Sequence, residues 1–168
     1  DATPMLPCGE DLGMVPDMVP ALMREMGILS LEIERMPKTM GAWRADPATA
    51  AYLSVVSPAT HDMAPIRLWW QEERGAAERY WAEAMGREGQ APAEATPEIC
   101  DAIIAAHLRS PAMLAVVQLQ DLLATVDSAR RDDIVTERIN QPADRHHRWR
   151  YRCHLDVADL PVRDWSRR

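Results

Sequence analysis

Short, nearly continuous apolar runs alternate along this chain with segments whose apolar residues recur at helical spacing. The runs are Pro4-Met5-Leu6-Pro7, Ile28 to Glu34, Leu53-Ser54-Val55-Val56 and Met113 to Leu119. Between them, Pro16 to Met26 carries Val19, Leu22, Met23 and Met26 at helical spacing and ends at Gly27. Asp46-Pro47 opens a short helix through Tyr52, and Pro65 to Met85 reads as helix interrupted near Gly75. Thr96-Pro97 opens another helix, with Ile99, Ile103, Ile104 and Leu108 as its apolar side. Strands buried on both faces and separated by helices pair in parallel, so the fold class is α/β.

Polar clusters follow the strands at their C-terminal ends: Glu10-Asp11 after the first, Thr60-His61-Asp62 after the third, and a polar turn at Gln120-Asp121 after the fourth. In a closed parallel barrel those ends converge on the face that carries the chemistry. Four such strands predict half of a (β/α)8 barrel, and 168 residues fall short of the roughly 250 that a whole one takes. The strand delivering Glu10 lies almost at the chain start. Residues 1–168 are therefore expected to be the C-terminal half of a larger catalytic barrel.

Composition excludes several classes. With 26 acidic against 19 basic residues the net charge is -7, which disfavours nucleic acid or an anionic membrane as partner. No apolar run approaches a spanning helix. Cys8, Cys100 and Cys153 are odd in number and share no CxxC spacing, which predicts a reducing, cytoplasmic setting. His146, His147 and His154 lack a carboxylate or thiol at ligand spacing, so no metal is expected. Without a GxGxxG or phosphate loop, no cofactor is expected either. Trp69, Trp70 and Trp81 sit at helical spacing and read as core in preference to sugar platforms.

The ordered motifs carry a resemblance. Gly9-Glu10-Asp11-Leu12-Gly13, Glu34-Arg35-Met36-Pro37, Ala59-Thr60-His61-Asp62-Met63 with Trp69-Trp70, Arg138-Ile139-Asn140-Gln141-Pro142 and Trp149-Arg150-Tyr151-Arg152 follow one another along the chain. Together they resemble the amylomaltase family of 4-α-glucanotransferases, glycoside hydrolase family 77, and within it the disproportionating enzyme 2 branch. The resemblance implies retaining transfer of glucosyl or maltosyl units between α-1,4-glucans such as maltose and maltooligosaccharides. It implies catalytic roles for Glu10 as proton donor and Asp62 as the carboxylate that steadies the transition state. His61, Asp11 and Asn140 become substrate-binding candidates, with Asp11 also read as a structural turn acid and Asn140 as an ordinary loop residue. The family's aspartate nucleophile has no counterpart here and is expected upstream, so the chain alone is expected to be inactive. Its partners would be the missing half of the same enzyme or a second copy in a homodimer. Two alternatives stand beside this: a fragment that acts only by association, and an α-glucan hydrolase using Glu10 and Asp62 alone. Met63-Ala64-Pro65 and Leu68 depart from the branch pattern and put the fit of the sugar subsite in question.

Overall fold

The computed structural model describes residues 4–158 and Leu160. Among them, four strands form one sheet in the order β1-β2-β3-β4: Cys8–Gly9, Leu29–Ile33, Ser54–Ser57 and Leu114–Ala115. Every pairing is parallel, with Cys8 opposite Leu29, Ser30 opposite Ser54, and Val55 opposite Leu114. Consecutive parallel strands joined by helical connections are the wall of a partial (β/α) barrel, as the alternation predicts. The central strand β3 is flanked on both sides, and all four of its residues are buried. Leu29 and Ile33 of β2 are each 1% exposed, which anchors the sheet in the core.

Three elements differ from expectation. β1 begins only at Cys8, because Pro4 and Pro7 have no N–H to donate; Pro7 still accepts from Leu29 N–H at 2.9 Å. The helix expected over 46–52 is a single 3₁₀ turn, Pro47–Thr49, whose first N–H groups are capped by Asp46 through Ala48 N–H at 3.1 Å. The expected strand at 113–119 contracts to Leu114–Ala115. Leu119 already opens a helix, so Gln120-Asp121 is no polar turn.

Five α-helices lie among the described residues: α1 Val19–Met26, α2 Ile66–Glu72, α3 Arg74–Arg79, α4 Pro97–Leu108 and α5 Leu119–Leu123. Gly27, at φ 69°, closes α1 in the left-handed conformation that glycine adopts without cost. The helix expected over 65–85 breaks at Glu73, two residues before Gly75, and resumes as α3 and a π-helical turn, Tyr80–Ala84. Pro65 immediately precedes α2, where a missing N–H deprives no helical bond.

The chain divides into two compact units, Asp1–Thr60 with Ile103–Val117, and His61–Ala102 with Gln118–Arg168. The first contains the sheet. The second has its own core, in which Trp69 and Trp70 are 4% and 0% exposed and meet Tyr80 edge-on at 5.8 and 6.4 Å. These two indoles are core, as their spacing indicates. Arg67 and Glu137 form a buried ion pair there at 2.9 Å. Asp121, 1% exposed, accepts from the first N–H of α2, that of Ile66, at 2.7 Å. Gln120 donates to the Glu137 carbonyl at 2.9 Å. Both residues of that pair thus tie α2 and α5 into the unit.

Candidate active site

Parallel pairing sends the connections after β1, β2 and β3 away from the same edge of the sheet. Glu10 lies in the first. Gly9 brings β1 close to α1: a Cβ there would come 2.8 Å from Met23 Cε. Gly13, at φ 78°, turns the chain back after Glu10-Asp11-Leu12. On this turn Glu10 is exposed and Asp11 is buried.

Asp11 is held by three donors. Leu31 N–H reaches Oδ1 at 2.9 Å, while the Ser30 hydroxyl and Lys38 Nζ reach Oδ2 at 2.9 and 2.7 Å. Burial pushes its carboxyl up, but those bonds and the Lys38 charge outweigh it and hold the pKa below the ordinary 3.8. Lys38 also pairs with Glu32 at 3.0 Å. A carboxylate with all these partners is a clamp joining the turn after β1 to β2. The substrate-binding role expected of Asp11 would have to share this carboxylate with the three donors.

Further along the chain from β3, His61 and Asp62 have side chains 50% and 46% exposed, with His61 Nε2 3.4 Å from Asp62 Oδ1. Asn140 Nδ2 donates to the same Asp62 oxygen at 2.6 Å. Three of the candidates named from the sequence therefore meet, although 78 positions separate Asp62 from Asn140. Beside them stands a residue that sequence reasoning passed over as a candidate. Trp149, 62% exposed, places its ring centroid 4.8 Å from that of His61. It is an exposed indole in contact with a polar constellation, whereas the tryptophans weighed earlier as platforms include two that are buried. Its signal was present in the polar segment around it, where no core face exists to absorb an indole.

His147 and His154 pair through Nε2 with the carbonyls of Ile139 and Ala129, at 2.9 and 3.0 Å. Among the described residues, no group of three or more His, Cys, Asp or Glu is disposed to hold a metal ion. Nor is any helix among them long and apolar enough to cross a membrane. Cys8, Cys100 and Cys153 are free; burial pushes the Cys100 thiol up to about 12.

The family model of glycoside hydrolase family 77, described as 4-alpha-glucanotransferase, matches residues 1–157. The chain belongs to that family. It is 36% identical over 160 residues to the 4-alpha-glucanotransferase DPE2 of Oryza sativa subsp. japonica, covering 95% of this chain and 17% of that protein. It is 28% identical over 169 residues to the 4-alpha-glucanotransferase of Chlamydia caviae, covering 97% of this chain and 31% of that one. The chain thus spans less than a third of the length of either relative. Among solved structures it resembles the amylomaltase of Streptococcus agalactiae in complex with acarbose, with a TM-score of 0.62 at 21% identity over 91% of this chain and 28% of that one. The amylomaltase of Corynebacterium glutamicum gives a TM-score of 0.65 at 16% identity, over 96% and 27% respectively. These two likenesses establish the family fold.

Proposed function

We propose that this chain is the C-terminal portion of the catalytic barrel of a cytoplasmic, retaining 4-α-glucanotransferase acting on maltose and maltooligosaccharides. Glu10 protonates the glycosidic oxygen as it leaves. Asp62 holds hydroxyls of the sugar whose ring becomes oxocarbenium-like, and His61 and Asn140 hold Asp62 and the same sugar. Trp149 offers its exposed face to a pyranose ring. The nucleophilic aspartate comes from sequence preceding residue 1.

The observation that carries this reading is the meeting of His61, Asp62 and Asn140 at one carboxylate oxygen beside Trp149. A carboxylate that already accepts from an amide is fixed in orientation, which suits it to stabilising positive charge on a sugar ring. Glu10 is exposed and free of the clamp that engages its neighbour, so it can exchange a proton with a leaving group.

The test compares two donors in the full-length enzyme. Glu10→Gln should abolish transfer from maltotriose by about 10²–10⁴-fold yet spare transfer from α-glucosyl fluoride, whose leaving group needs no proton. Asp62→Asn should depress both, because its action is on the ring. Equal loss with both donors in Glu10→Gln would remove Glu10 from the acid role.

A further inference from the structure

Between Arg138 and His154 the chain has five arginines and a single acid, Asp144, although its net charge is -7. The proposed sugar site uses Asn140 and Trp149 of this stretch and leaves the arginines without a task. Within the second unit, three of them, Arg138, Arg148 and Arg150, line one cavity of about 430 Å³. Trp149, between the last two, is not among the described residues of its wall; that indole meets His61 instead. Nor are His61, Asp62 and Asn140 part of that wall. The cavity is a separate place from the sugar site.

Arg67, Arg74, Arg79 and Arg138 of this unit each pair with a glutamate, Arg138 with Glu72. Among the described residues, Arg148 and Arg150 have no carboxylate within ion-pair distance. Arg148 Nη1 donates to the His146 and His147 carbonyls at 3.5 and 3.1 Å, which braces the guanidinium without cancelling its charge. The acid in the wall is Asp144, whose Oδ1 accepts from the His146 backbone N–H at 2.9 Å. The wall therefore stays positive after its pairs are counted. Planar guanidinium forks in that state fit the oxygens of a carboxylate or a phosphate.

A carboxylate brings one charge, which a single guanidinium satisfies. A phosphate monoester brings about 1.5–2 negative charges at neutral pH and three acceptor oxygens, enough for two guanidiniums. Ligand cavities run from roughly 300 to 1,000 Å³, so the space suits a sugar-sized molecule. The acidic balance of the whole chain opposes a long polyanion. Val135 and the Tyr151 ring add apolar wall against which a carbon skeleton can lie. We propose that this cavity binds a small phosphate monoester, whose phosphate oxygens accept from Arg148 and Arg150. The site stands apart from the transferase reading and needs no turnover to be seen.

The experiment is calorimetric titration of the full-length enzyme with glucose 6-phosphate, inorganic phosphate and glucose. Glucose 6-phosphate should bind and glucose should not match it. Arg148→Gln and Arg150→Gln should each weaken that binding by about tenfold or more, since each removes a charged donor fork. Both side chains are exposed, so the melting temperature should hold in either variant. Arg87→Gln, which removes an exposed arginine outside the wall, should bind as the wild type does. Comparable affinity for inorganic phosphate would make free phosphate a ligand in its own right, and tighter binding of the ester would make a sugar phosphate the source; both support the site. No binding of either phosphate overturns the proposal, as does equal affinity in Arg150→Gln and Arg87→Gln. An affinity for glucose equal to that for its phosphate overturns it too. Tighter binding of a single-stranded oligonucleotide through the same two arginines would overturn the choice of a small ligand.

Discussion

Glu10 and Asp11 are neighbours in the chain but face different surroundings, because the turn after β1 directs one side chain outward and the other against β2. Asp11 accepts from Leu31 N–H, Ser30 and Lys38, and losing a charged acceptor in such a buried cluster costs about 1–3 kcal/mol. Asp11→Asn should lower stability by that amount in urea denaturation of the full-length enzyme, and slow both maltotriose and glucosyl fluoride turnover because the turn bearing Glu10 is no longer pinned. A donor-selective loss would instead give Asp11 a role in the acid step. Two of the shifted groups near the sheet, His107 and Asp11, act in different pH windows. His107 has a folded pKa below 6.5, so the unfolded chain binds more protons between the two values; its contribution is full above about pH 6.5 and is lost as pH falls toward the folded value. Asp11 is held below 3.8, so its contribution persists above that pH and is lost as pH falls through the lower folded value. His107→Gln should therefore flatten the stability profile just below pH 6.5 and leave the more acidic fall unchanged, as denaturation across a pH series reads out. If the slope below pH 6.5 survives the substitution, other histidines cause it.

At the scale of elements, the parallel sheet was legible because β2 and β3 are written as apolar runs that no exposed segment would carry. The helices α1 and α4 were legible through Gly27 and Thr96-Pro97. The short helix α5 was not. Gln120 and Asp121 look like a solvated turn in sequence, and only the folded chain brings Asp121 beneath the first N–H of α2 and Gln120 onto the Glu137 carbonyl. Long-range satisfaction of a helix N-terminus leaves no local pattern to read. The same holds for Asn140: its motif placed it near sugar, while its bond to Asp62 came from the fold. The second unit also depends on the Arg67–Glu137 pair, with side chains 10% and 5% exposed. Burial pushes the Glu137 carboxyl up, and Arg67 opposes that shift. Arg67→Met would leave Glu137 buried without its cation, a change that costs about 3–5 kcal/mol. Arg67→Met combined with Glu137→Leu should recover most of the loss, since apolar replacement of a whole buried pair is often neutral. A double variant as unstable as the single one would assign the loss to the Arg67 bond with the Arg131 carbonyl instead.

At the scale of the whole molecule, the sheet order leaves β1 and β4 at its two ends among the described residues, with exposed apolar side chains beside both. Beside β1, Met5, Leu6, Met18, Leu22 and Met26 are between 49% and 77% exposed; around β4, Leu114 and Val116 are 48% and 55% exposed. Val19, Leu22, Met23 and Met26 recur at helical spacing on α1, yet among its residues only Met23 is buried. An amphipathic helix whose apolar residues remain in water lacks whatever would cover them, and contiguous apolar surface of this sort is where chains associate. Unpaired edge strands act in the same direction, since their free N–H and C=O groups accept another strand. The family relatives are three to six times as long as this chain by the fractions it covers, 31% and 17%. A polypeptide of residues 1–168 alone should therefore bind a hydrophobic dye and scatter light as a dimer or larger species. Supplying the preceding barrel strands in trans should suppress both signals. It should also restore transfer from maltotriose, because the nucleophile would arrive with those strands. A monodisperse monomer with a cooperative melt and no dye binding would mean that this sheet closes without further strands. Transfer by that monomer would go further, and place the covalent chemistry on Glu10 and Asp62 themselves.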